Sequence, residues 1–229
     1  MGKAGEPLVE FSASVVRPLR HMVTLFVARD ILPPRLALMS VLREEGVTYT
    51  ALALATILAH DMAGTVGLVE LNWEAPGLAR LVAGGAAAAP TDAGAAGGLA
   101  AVLTDRATLD DVLIWTGLPN LALLPAGELP LASRATLVRS ARLPAIIKEL
   151  AGRFDHLLLD VPAAAVTSDA IPLARLGNAI LLVIRQGVTP RRVIATTLDD
   201  FSQCTVLGVV LNRARVATPA WLFKFIPQE

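Results

Sequence analysis

The stretch REEGVTYTALALA (residues 43–55) follows the apolar run RLALMSV (35–41) and opens an Ala/Leu-rich segment with helical spacing. A buried strand, a short turn and a helix form the local architecture of a phosphate loop. Backbone N–H groups and the positive end of the helix dipole attract anions at such a helix start. Gly46 allows close backbone approach, and Thr48 stands where a hydroxyl holds magnesium. The loop's lysine is missing, however, because Val47 fills its slot. Glu44 and Glu45 are expected to add two negative charges where a ligand's own charges would sit. Two like charges about 4 Å apart at an effective dielectric near 20 repel by roughly 4 kcal/mol, more than a few backbone amides return.

The rest of the chain repeats the alternation begun here. Five further apolar runs read as buried strands: TVGLVEL (65–71), NLALLPA (120–126), HLLLDV (156–161), AILLVIR (179–185) and TVLGVVLN (205–212). Helical spacing falls between them at 50–60, 133–151, 168–176 and 190–201. Such alternation predicts an α/β fold with a mostly parallel, doubly wound sheet flanked by helices, in a single domain. That domain is expected over 35–213, preceded by a helical extension (1–34) and followed by a short apolar tail (214–229). An Ala- and Gly-rich stretch at 83–99 interrupts the rhythm and reads as a loop.

Composition narrows the function classes. Lysine plus arginine and aspartate plus glutamate number 20 each in 229 residues, so no global field draws in nucleic acid. The apolar stretch TALALATILAHDMAG (50–64) is broken at His60 and Asp61, well short of the roughly 20 residues a membrane span needs. The single cysteine, Cys204, reads as a small buried hydrophobe. His21, His60 and His156 share no metal-ligand spacing. Asp199 and Asp200 read as a solvated helix end, and Arg191 and Arg192 as an exposed helix start. The tail TPAWLFKFIPQE (218–229) gathers Trp221, Leu222, Phe223, Phe225 and Ile226 around one lysine, which suits packing onto a sheet edge or a partner better than lipid.

A second element suits a nucleotide site. FDHLLLDVPAA (154–164) ends its strand in Asp160, followed by Pro162, where an aspartate holds magnesium through water. LVELNWEAPGLARLV (68–82) and LPNLALLPAGELPLASRATLV (118–138) precede it, and VLGVVLNR (206–213) closes the sheet. Taken together, these segments resemble the ATPase domain of bacterial capsule and exopolysaccharide tyrosine kinases, a branch of the ParA/MinD-type P-loop ATPases. The resemblance runs from about Arg17 to Arg213.

The resemblance implies a nucleotide site built on Gly46, Thr48 and Asn212, with Asp160 and Thr48 on the magnesium. Asn212 stands where a side-chain amide reads adenine, and Glu70 and Asn72 replace two aspartates of the family. The family's tyrosine cluster has no counterpart, since Tyr49 is the only tyrosine. The resemblance thus implies a catalytically degenerate protein with no catalytic residue assigned and no resident cofactor, ATP and magnesium being the ligands the old site would take. One alternative is ATP binding with weak hydrolysis and nucleotide-dependent dimerisation, with a lysine such as Lys148 supplied from elsewhere; the other is a peripheral membrane positioning ATPase homologue. Two readings stay open for single residues: Thr48 as helix cap or magnesium ligand, and Asp160 as turn cap or metal ligand. The implied partner is a membrane-bound polysaccharide co-polymerase or assembly protein, or a second copy or active ATPase homologue. The implied location is the cytoplasm or the inner face of the cell membrane.

Overall fold

The computed structural model describes residues 9–83 and 97–214. Helix α1 (Ala13–Ala28) leads into β1 (Arg35–Ser40), α2 (Val47–Asp61), β2 (Val66–Glu70) and α3 (Leu78–Val82). After the gap in the description come α4 (Gly98–Leu103), α5 (Leu109–Val112), β3 (Ile114–Trp115), β4 (Leu121–Leu124), α6 (Leu131–Val138) and α7 (Arg142–Arg153). The chain continues through β5 (His156–Asp160), α8 (Ala170–Ala174), β6 (Ala179–Arg185), α9 (Arg191–Asp200) and β7 (Val206–Asn212).

The seven strands form one sheet in the order β3-β4-β2-β5-β1-β6-β7. Every pairing is parallel except β3 with β4, so the expected mostly parallel α/β sheet is present. Strand side chains alternate between two apolar clusters. Leu36 and Leu38 join α1, α2 and α3 on one face, while Ala37 and Met39 join α4 to α9 on the other. Both faces are covered, which is why β1, β2 and β5 read as unbroken apolar runs instead of alternating ones.

Helix α2 is buried along nearly its whole length, because α1 lies over it. Leu19 and Val23 turn inward from α1, and the Arg20 guanidinium grips Asp61 at the far end of α2 with N–O distances of 2.5 and 3.0 Å. The N-terminal helix therefore shares the core of the α/β domain.

Some elements differ from the sequence reading. The span 133–151 is two helices, α6 and α7, broken where the Ser140 hydroxyl donates back to the Leu137 carbonyl at 2.7 Å. The short helices α3, α4 and α5 and the edge strand β3 were not foreseen, being too brief to show a period. Residues 98 and 99 of the expected loop belong to α4, while 84–96 lie outside the described residues. Close backbone contact explains the glycines there. A side chain on Gly127 (φ +68°) would drive its Cβ into the Gly97 carbonyl oxygen. Cys204 is half-buried, not fully enclosed.

Candidate functional site

The C-terminal ends of β1 and β5 and the start of α2 meet in a cleft of about 330 Å³. Its lining includes Ser40, Glu44, Gly46, Val47, Thr48, Asn72 and the Arg43 and Arg80 side chains. This is the edge where parallel α/β sheets hold ligands.

The β1–α2 loop closes on itself. Gly46 is the N-cap of α2, in the left-handed region at φ +91°, so the helix starts at Val47 and Thr48 lies one residue inside it. Capping by Thr48 is thus replaced by a glycine that turns the chain without a side chain. A Cβ on Gly46 would sit 2.2 Å from Asn212 Nδ2, and that amide donates to the Glu45 carbonyl at 2.7 Å. Asn212 is therefore at the site, with its N–H committed to the loop backbone and its Oδ1 accepting from the Arg213 N–H at 2.8 Å.

Glu45 corrects the electrostatic expectation. Glu45 lines the cleft but is only 1% exposed, its carboxylate enclosed by hydrogen-bond donors. Oε2 accepts the backbone N–H groups of Val41 (3.0 Å) and Leu42 (2.8 Å). Oε1 accepts the Arg185 N–H at 2.9 Å and the Thr189 hydroxyl. Bound by these donors, the charge organises the loop instead of repelling a ligand in front of it. Glu44 alone of the pair is exposed, and it holds a positive φ of 61° that favours glycine. Val41 and Leu42 are near in sequence, but nothing local signals the other two donors, because Arg185 and Thr189 arrive from 140 or more residues away.

Val47 sits in the lysine slot and is 8% exposed, within the apolar cluster that includes Leu19 and Val23 of α1. Lys148 does not compensate, since it is exposed on α7 and does not line the cleft. The lining cations are Arg43, 4.0 Å from Glu74, and Arg80, which donates to the Pro76 carbonyl at 2.8 Å.

Glu70 and Asp160 lie side by side in the β2–β5 register, and both are buried. Glu70 accepts the N–H groups of Gly77 (2.6 Å), Leu78 (2.9 Å) and Ala126 (3.0 Å), tying α3 and the turn after β4 to the sheet. Burial pushes its carboxyl pKa up, and these donors pull partly back. Among the described residues neither oxygen of Asp160 has a hydrogen-bond partner, so the turn-capping reading does not hold. Burial, with the Glu70 charge adding to it, pushes the Asp160 carboxyl up to about 8. The neighbouring Thr48 hydroxyl favours the charged form but is not placed to make a well-formed bond. An orphaned buried carboxylate beside a hydroxyl suits a hydrated divalent cation, so Thr48 and Asp160 fit magnesium as donors. Among the described residues no group of three or more His, Cys, Asp or Glu side chains gathers as a metal centre.

No protein-family model matches the chain. The tyrosine-protein kinase CpsD of Streptococcus agalactiae serotype III is 27% identical over 180 residues, 78% of this chain and 73% of that protein. The succinoglycan biosynthesis transport protein ExoP of Rhizobium meliloti is 29% identical over 182 residues, again 78% of this chain but 22% of its own length. The solved kinase domain of VpsO superposes with a TM-score of 0.76, at 23% identity, covering 88% of this chain and 95% of that one. The chain is a relative of the bacterial tyrosine-kinase ATPase domains. The wider ATPase group is represented by the septum site-determining protein MinD of Pyrococcus horikoshii, solved with Mg-ADP. Its TM-score is 0.59 at 22% identity, over 83% of this chain and 76% of that one. The tyrosine-kinase-like chain thus shares the fold of nucleotide-binding ATPases while differing from the phosphate-loop pattern at Val47.

Proposed function

We propose that this chain is a catalytically degenerate member of the tyrosine-kinase ATPase group, acting as a binding or regulatory partner in bacterial exopolysaccharide or capsule biosynthesis. The observation that carries the reading is Val47: the ammonium that would bridge a nucleotide's outer phosphates is replaced by an aliphatic side chain packed into the apolar cluster shared with α1. Phosphoryl transfer depends on positioned charge, so this loss removes a main source of rate. Tyr49, the one tyrosine of the sequence, is half-buried and stands edge-on to Phe11 with ring centroids 5.2 Å apart, a poor phosphate acceptor. The name of ExoP, a succinoglycan biosynthesis transport protein, supports the pathway, and a membrane-bound polysaccharide co-polymerase or assembly protein is the partner this reading assigns. Pairing with a second copy or an active ATPase homologue is the other arrangement it allows. No helix among the described residues is long and apolar enough to cross a membrane. The pathway this reading assigns puts the chain in the cytoplasm or at the inner membrane face.

A specific observation favours a second reading, ATP binding with weak hydrolysis: the unpartnered Asp160 carboxylate beside Thr48. In that reading Thr48 and Asp160 hold magnesium, Gly46 lets the loop approach phosphate, and Asn212 exchanges its loop contact for adenine. Magnesium would supply charge neutralisation of the phosphates. Titration with ATP and magnesium, followed by thermal melting, separates the two. A binder saturated at 100 times its dissociation constant gains about 2.7 kcal/mol. The expected result is no shift at millimolar ATP for the native chain and a new shift for Val47→Lys. A saturable shift in the native chain that disappears in Asp160→Ala would establish the second reading instead.

A further inference from the structure

The edge of the sheet that holds the cleft also carries a cluster of arginines. Strand β6 ends at Arg185 and β7 at Asn212, paired in register, and Arg213 follows at once. The turn after β6 leads through Pro190, the N-cap of α9, to Arg191 and Arg192 at the helix start. Four arginines thus stand on two neighbouring strand exits and on the helix that joins them. Arg191, Arg192 and Arg213 are exposed, and Arg185 is half-buried.

No carboxylate answers them. Arg20, Arg139, Arg142 and Arg153 each pair with an acidic side chain, but among the described residues none of these four does. Asp199 and Asp200 are the only acidic residues from 170 to 214, and they end α9, about 15 Å away along its ten residues. Glu45 approaches from the β1–α2 loop, but it is 1% exposed and its Oε1 takes the Arg185 backbone N–H. Arg191 and Arg192 also stand at the positive end of their own helix dipole, which raises the cost of leaving them unpaired. A chain of zero net charge therefore concentrates positive charge at one corner.

The apolar content of that corner selects the partner. Val188, in the turn between Arg185 and Arg191, is 49% exposed, and it follows Gly187, whose Cβ position meets open space. Guanidinium groups around an exposed aliphatic tip suit an anionic headgroup layer, where arginine meets phosphate and the valine meets the acyl boundary. Residues 185–192 and 206–214 contain no aromatic side chain on which a nucleic-acid base could stack. We propose that Arg185, Arg191, Arg192 and Arg213, with Val188 between them, bind the anionic lipid headgroups of a membrane surface and hold the cleft edge of the sheet against it. The proposal takes the inner-face location from the reading above and gives it a surface; the state of the phosphate loop does not enter. Each arginine near such a surface strengthens binding roughly fivefold, so the attachment is reversible and salt-sensitive.

Sedimentation of the full chain with vesicles tests it. The native chain should pellet with vesicles of equal parts phosphatidylcholine and phosphatidylglycerol and stay in solution with phosphatidylcholine alone. The double variant Arg191→Ala/Arg192→Ala should bind roughly 25-fold more weakly at an unchanged melting temperature, and Arg191→Lys/Arg192→Lys should stay within about threefold of native. Salt near 1 M, where the screening length falls to about 3 Å, should release the chain. Equal pelleting on both vesicle types, or an alanine pair that pellets like the native chain, overturns the proposal. Displacement from the vesicles by polyglutamate or duplex DNA at equal charge concentration would assign the arginines to an acidic protein or a nucleic acid, and overturns it as well. None of these failures touches the phosphate-loop reading, which the ATP titration decides separately.

Discussion

The two walls of the cleft treat their buried carboxylates in opposite ways. On the loop wall, Glu45 gathers three backbone N–H groups and the Thr189 hydroxyl, and Asn212 fastens the loop from above. On the strand wall, Asp160 is fully buried and receives nothing, although Glu70 beside it takes three amides. One wall is complete without a ligand. The other retains an unmet demand for a proton or a cation. The phosphate loop can therefore lose its lysine and keep its shape, because that shape is held by its own glutamate, while the strand end keeps a cost that only binding or protonation relieves.

The largest expected effect breaks the complete wall. Glu45→Ala strands the N–H groups of Val41, Leu42 and Arg185 in a buried site, and denaturant unfolding should show a loss of about 3–5 kcal/mol. Glu45→Gln should recover part of it. An Ala variant as stable as the native chain would mean that the loop is not held from within.

The next effect probes the incomplete wall. Burial raises the folded-state pKa of Asp160 to about 8, far above its unfolded value, so the folded protein keeps a proton that the unfolded chain has released. Stability from this group is full below about pH 4 and is lost progressively as pH rises to about 8. Even half of the roughly 1.4 kcal/mol per pKa unit over this shift gives Asp160→Asn a gain on the order of 3 kcal/mol at pH 8 and almost nothing at pH 4, in buffer with chelator. Two groups shape the slope that remains in the variant: Glu70, whose pKa burial raises, lowers stability as pH rises, and His156, whose pKa burial lowers, does the reverse. In the native chain, millimolar magnesium should flatten the decline if the carboxylate meets a cation. A native stability curve flat between pH 5 and pH 8 would remove the contrast between the walls.

The smallest effect sharpens the loop side. Glu44 is exposed at φ +61°, so Glu44→Gly relieves strain and should raise the melting free energy by about 1 kcal/mol. A loss of stability would show that the Glu44 side chain has a structural partner after all.

Much of the fold was legible because burial on both faces imposes continuous apolar runs. All six expected strands are present, and the helices at 50–60, 168–176 and 190–201 appear with ends shifted by a few residues. Short elements escaped because four to six residues cannot display a helical period. In the site, Gly46, Thr48, Asp160 and Asn212 do converge on one region, as the strand-end positions implied. The charge argument missed at Glu45 because side-chain direction depends on which amides wait nearby, and those come from the loop after β1 and from the end of β6. Arg43 and Arg80 were overlooked for the same reason: cleft lining is a property of the folded loop and the β2–α3 turn, not of a spacing. The tail at 218–229 lies outside the described residues.

By itself the sequence determined the α/β class, the strand and helix positions and the loss of the loop lysine at Val47, since these follow from residue type and period. Tertiary structure alone decided the strand order, the burial of Glu45 and the isolation of Asp160. Each of these turns on which segments far apart in the sequence are brought together, and no local pattern of residues encodes that.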